Sequence, residues 1–133
     1  MEHKVVAHYK NGETRRGYTQ DFRPDADSFH LLPSDGGGIP LMVKVEDLKA
    51  LFYVKDYGAM RRQSERAKRF GVEAPSGQKI VVEFKDGEKL WGIAEQYSSM
   101  SRGFYFLPAS PDENNTRIFI VNSSVKQIHF EER

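Results

Sequence analysis

The chain has no cysteine. That removes disulfide frameworks, thiolate metal sites and cysteine nucleophiles together. No apolar run approaches the roughly 20 residues that a membrane-spanning helix needs. The start, Met1-Glu2-His3-Lys4-Val5-Val6, passes into a β-rich run without the apolar stretch of a secretory signal, so the expected compartment is the cytoplasm. Net charge is also nearly missing: 20 Lys and Arg stand against 19 Asp and Glu, for a formal +1. The chain as a whole therefore has no electrostatic pull toward nucleic acid or membrane. His3, His8, His30 and His129 lack metal-ligand spacing, and Ser98-Ser99 and Ser123-Ser124 lack a nucleophile elbow. Gly36-Gly37-Gly38 follows an aspartate, opens no helix and has no lysine where a phosphate loop needs one, so it reads as a hairpin tip. No catalytic residue, metal or cofactor is implied, and an enzyme is the disfavoured class.

What the chain does have is itself, twice. Lys4-Val5-Val6-Ala7-His8-Tyr9-Lys10-Asn11-Gly12-Glu13 aligns with Lys79-Ile80-Val81-Val82-Glu83-Phe84-Lys85-Asp86-Gly87-Glu88. The match runs without a gap through Gly17 and Gly92, Phe22 and Tyr97, and Phe29 and Phe104 to Leu32-Pro33 and Leu107-Pro108. Self-similarity at a fixed offset marks a repeated supersecondary unit. Each copy is about 55 residues, a size that buries only about 60% of its chain surface and is marginal alone. Two copies are expected to lean on each other or on a partner.

Within each copy a β-rich run reaches Asn11-Gly12 or Asp86-Gly87, dipeptides that tolerate positive φ at both turn positions and predict a hairpin. The second strand, 13–22 or 88–97, is interrupted by Gly17 or Gly92, where a strand glycine marks a bend with close backbone approach. In the third strand, 28–32 or 103–107, period two turns Phe29 and Leu31, and Phe104 and Phe106, to the core. A fourth strand (39–45 or 117–121), one helical turn (46–49 or 123–126) and a fifth strand (50–54 or 127–130) complete the unit. Five short strands, one bent, predict an all-β fold of two tandem five-stranded small barrels, Sm-like or Src-homology-3-like. Their expected bounds are 1–55 and 79–133, joined by a short basic helical linker over 56–78. An open twisted sheet of the same strand order is the alternative.

The linker holds Arg61, Arg62, Arg66, Lys68 and Arg69 against one acid, Glu65. These residues are the candidate anion site, because arginine forks match phosphate oxygens bidentately; the bland reading is a solvated helix face. Trp91, the only tryptophan, stands where the first copy has Arg16. With Tyr97 and Tyr105 it forms a candidate aromatic surface for a peptide or a base, or else packs against the neighbouring repeat.

Three resemblances follow from these residues. Arg62-x-x-x-Arg66 before a β unit resembles the arginine motif of PilZ domains, which implies a cyclic dinucleotide. The second PilZ motif is missing, since counting back from Gly103 puts Met100 at the serine position and Ser98 at the acidic or amide position. Val81-Val82-Glu83-Phe84-Lys85-Asp86-Gly87-Glu88 with Gly92 resembles the first Sm motif, but Glu46-Asp47 and Ser123-Ser124 replace the Arg-Gly turn of the second. That resemblance implies a shape and no base recognition. Finally, Gly103-Phe104-Tyr105-Phe106-Leu107-Pro108 and Asn114-Asn115-Thr116-Arg117, with Gly17-Tyr18-Thr19-Gln20-Asp21-Phe22 in the first copy, are similar to a bacterial domain of unknown function. That domain occurs as a tandem small-barrel repeat and is sometimes attached to signalling proteins.

The expected function is thus a non-enzymatic bacterial accessory or regulatory module whose partner is a protein, with no membrane role. The alternative is nucleic-acid or cyclic-nucleotide binding through the linker arginines, with Trp91 and Tyr97 stacking. Salt separates the two, because phosphate binding weakens steeply as salt rises.

Overall fold

A computed structural model describes residues 3–33, 38–54, 78–95, 97–108 and 115–130. The first repeat supplies β1 (His3–Tyr9), β2 (Thr14–Thr19), β3 (Ser28–Pro33), β4 (Leu41–Lys44) and β5 (Leu48–Val54). The second supplies β6 (Gln78–Phe84), β7 (Lys89–Ala94), β8 (Gly103–Pro108), β9 (Asn115–Val121) and β10 (Val125–Phe130). A single 3-10 turn precedes each last strand, at Val45–Asp47 and Asn122–Ser124, close to the helical turns expected from sequence. The expected linker helix, 56–78, lies almost wholly outside the described residues, and its last residue, Gln78, opens β6.

All ten strands form one antiparallel sheet in the order β10-β6-β7-β8-β9-β5-β1-β2-β3-β4. Each half follows the same path, with its fifth strand beside its first. The sheet is open, which corrects the expectation of two barrels. The reason is edge occupancy. A small barrel would close by pairing strands four and five of one repeat, but β5 is flanked by β1 and β9, and β9 by β8 and β5. The pairing that would close a barrel is used instead to join the repeats.

That junction decides where the cores sit. Along β5 and β9, residues alternate between two apolar clusters. Phe119 and Val121 of the second repeat join Val5, Phe29, Leu48 and Leu51 in the first cluster. Ala50 of the first repeat joins Ile80, Phe84, Ile118 and Ile120 in the second, with Phe52 packed against it. Each repeat therefore completes its neighbour's core. Strands buried on both faces read as continuous apolar runs, as Ala50-Leu51-Phe52 and Ile118-Phe119-Ile120-Val121 do. The outer strands are less buried: only Val43 of β4 is buried, and in β10 the exposed Gln127 and His129 flank a half-buried Ile128.

Both hairpins form, with a different turn from the one their dipeptides suggest. Gly12 and Gly87 have φ of 96° and 98°, and among the described residues no non-glycine has positive φ. Gly12 N–H donates to Tyr9 O at 3.0 Å while Tyr9 N–H donates to Glu13 O at 2.8 Å. This is the three-residue loop in which a type I turn is followed by a left-handed glycine, rather than a two-residue turn. The side chains of Asn11 and Asp86 stay at negative φ and accept the N–H groups of Glu13 and Glu88 at 2.9 and 3.0 Å.

Candidate functional site

The strand-three alternation brings Tyr105 to the surface between the repeats, while Phe104 and Phe106 on either side of it are buried. Around Tyr105 lies an open cleft of about 950 Å³. Its floor is Tyr105, Phe104 and Phe119 from β8 and β9; Pro24 and Asp25 of the first repeat form one wall, and Met100 and Arg102 of the second form another. Met100 stands on the rim at 92% exposure.

The polar groups of this cleft are mutually satisfied. The Arg117 guanidinium lies 3.7 Å above the Tyr105 ring and donates to Glu95 Oε1 at 3.2 Å. Arg102 donates to Asp27 Oδ1 across the junction. Asp27 and Arg102 occupy the same position of the two repeats and carry opposite charge, so the pair ties the copies together at the mouth of the cleft. Beneath the floor, the Tyr105 and Tyr53 hydroxyls are 3.5 Å apart. Burial, and then this contact, push the Tyr53 phenol far above its ordinary range, so it stays protonated.

A smaller cleft of about 150 Å³ gathers Lys10, Lys49 and Lys85 with Ser123 and Ser124. Its cations serve mainly as clasps. Lys10 Nζ donates to Glu46 O at 2.6 Å and to Ser123 Oγ at 2.7 Å. Lys49 Nζ donates to Asp86 Oδ2 at 2.8 Å and also to Glu88. Partial burial works against the Lys49 ammonium, but these two carboxylates outweigh it and raise its pKa above the ordinary value. Ser124 is buried and its hydroxyl points between Val121 O (2.7 Å) and Lys49 O (2.9 Å), again bridging the repeats.

The structure disperses the aromatic surface expected from sequence. Tyr97 packs edge-on against Phe104 at 4.9 Å in the second cluster, and Tyr105 belongs beside the first. Trp91 is half exposed on the outer face of β7, in a cross-strand row with Val81 and His129. The matching row of the first repeat, Arg16, Val6 and Phe52, continues onto Ile118 of the second repeat, whereas the row of Trp91 ends, among the described strands, at the edge strand β10. Arg61, Arg62, Arg66, Lys68 and Arg69 lie outside the described residues. Sequence reading missed Met100, Arg102 and Arg117. The one available signal was the charge reversal between Asp27 and Arg102 at equivalent repeat positions. Among the described residues no group of three His, Asp or Glu side chains is placed to hold a metal ion, and no helix is long and apolar enough to cross a membrane.

The chain belongs to a family of unknown function, DUF6982, whose model matches residues 1–131 and so spans both repeats. No curated protein and no solved structure matches it.

Proposed function

We propose that this chain is a non-enzymatic accessory module of bacterial regulation that binds an extended segment of a protein partner in the cleft between its repeats, in the cytoplasm. Each half is read as a small-barrel unit, Sm-like or Src-homology-3-like in strand path, that has given up closure to make the junction. The observation that carries the reading is the balance of the cleft. Tyr105 offers it an aromatic ring, its rim carries an exposed methionine, and both of its arginines already face carboxylates. A cleft of this volume lies within the size range of ligand sites, and its lining is about half polar. A polyanion entering it would have to displace Glu95 and Asp27 from their arginines and would meet Asp25 as well. A peptide loses nothing by that arrangement, since its side chains bury against Tyr105 and Met100 while its backbone finds the fixed polar groups. This favours protein over nucleic acid or cyclic dinucleotide as the partner class.

The test is selection of peptides from a random display library on the full chain, followed by affinity measurement against wild type and Met100→Asp. Exposed Met100 has no packing role, so the variant keeps the fold. Selected peptides are expected to lose roughly tenfold in affinity, the size of a modest hot spot. A labelled short single-stranded RNA is run in parallel at low and moderate salt. Selected peptides indifferent to Met100→Asp, or salt-sensitive RNA binding with no peptide enriched, would overturn the reading.

A further inference from the structure

The junction that joins the two repeats inside the chain uses strand five of the first and strand four of the second. The unused counterparts, strand four of the first repeat and strand five of the second, are β4 and β10, and they lie at the two ends of the sheet. The molecule therefore carries both halves of a junction that it has already made once.

Residue by residue, these edges look like an interface without its partner. Met42 occupies the position of Phe119 and is 58% exposed, where Phe119 is 1% exposed. Leu41, at the position of buried Ile118, is 40% exposed. At the other end, Val125 and Ile128 are half-buried where their counterparts Leu48 and Leu51 are fully buried. Phe130 stands 47% exposed beside Tyr97. Phe119 and Val121 cover the first core on one side, whereas on the corresponding side of the second core the border residues Val125 and Ile128 are only half-buried. Of the six exposed large hydrophobic residues among those described, four (Ile39, Leu41, Met42 and Phe130) lie at these two ends.

We propose that a second copy of this chain docks head to tail, its β4 adding to the β10 edge in the register that β9 keeps with β5. Ala50↔Ile120, Leu51↔Phe119 and Phe52↔Ile118 then become Gln127↔Val43, Ile128↔Met42 and His129↔Leu41. Met42 closes the second core as Phe119 closes the first. Such a contact is heterologous: each copy still offers one β4 and one β10, so assembly proceeds to a closed ring or an open filament. Lys44 at the position of Val121, and Gln127 and His129 at those of Ala50 and Phe52, make this junction weaker than the internal one. Charged and short edges are the usual means of restraining strand addition. Association is therefore reversible and concentration-dependent, and it does not involve the cleft.

Sedimentation velocity on the full chain, from low to high micromolar concentration, tests this together with Met42→Glu and Phe130→Glu. Both side chains are about half exposed, and matching thermal unfolding checks that the variants fold. Wild type is expected to rise from 15.3 kDa to larger species, and each variant alone is expected to stay monomeric. The decisive sample is the mixture: the Met42→Glu chain keeps an intact β10 edge and the Phe130→Glu chain an intact β4 edge. Together they can make one junction and no more, so the mass is expected to stop at a dimer. Monomeric wild type throughout, a single variant that still assembles, or a mixture that stays monomeric would each overturn the proposal.

Discussion

Gly92 shows how a single residue sets the path of this chain. A Cβ there would lie 2.3 Å from Leu107 O and 2.6 Å from Phe106 Cζ, and Gly17 is equally close to Leu32 O. Backbone cannot yield as a flexible side chain does. Gly92→Ala is expected to cost about 1–3 kcal/mol or more, as overpacking does. Gly87 is constrained differently: nothing lies within 4 Å of an added Cβ, but its φ is +98°. Gly87→Ala is expected to cost about 1–2 kcal/mol from conformation alone, the smaller of the two in urea unfolding. The two constraints were not equally legible. Recurrence of Gly17 and Gly92 at one repeat position announced close approach. Asn11-Gly12 announced a hairpin but suggested a turn with positive φ at both positions, which only Gly12 has, because loop length decides between turns that the same dipeptide fits.

Among elements, β1 and β5 are coupled by an ionisable contact. His8, on the outer face of β1, has its ring 4.2 Å from that of Phe52 on β5. Burial lowers its pKa, nearby Lys49 lowers it further, and Glu88 opposes the shift. The folded chain therefore holds His8 neutral, while the unfolded chain takes a proton near the ordinary 6.5. Stability from this site is complete above that pH and falls as pH drops through it toward the folded pKa. The other shifted groups of these strands and their partners act elsewhere: Tyr9 and Tyr53 lose their contributions above 10.0, Lys49 above 10.5 and Asp86 below 3.8. His8→Phe is expected to flatten the fall in thermal midpoint just below pH 6.5; an unchanged acid limb would assign it to another group. At this scale the sequence carried the hairpins and the inward faces. Continuous apolar runs in β5 and β9 fit central strands, but Leu41-Met42-Val43 of the edge strand β4 is such a run as well. Local pattern does not separate centre from edge or name a strand's neighbour, and so the β5·β9 pairing and the cleft beside it were not legible.

At the scale of the whole molecule the two repeats are one body, and the cleft between them exists only because they share cores. Phe119 belongs to the second repeat in sequence and to the first in packing. Phe119→Ala should cost about 3–5 kcal/mol, and the direct measurement is amide hydrogen exchange of wild type and this variant across the full chain. If the sheet opens as one unit, the most protected amides of β1 and β6 share one opening free energy, and the variant lowers both by the same amount. Loss of protection in β1 with β6 unchanged would mean that the repeats open independently, and would contradict the claim.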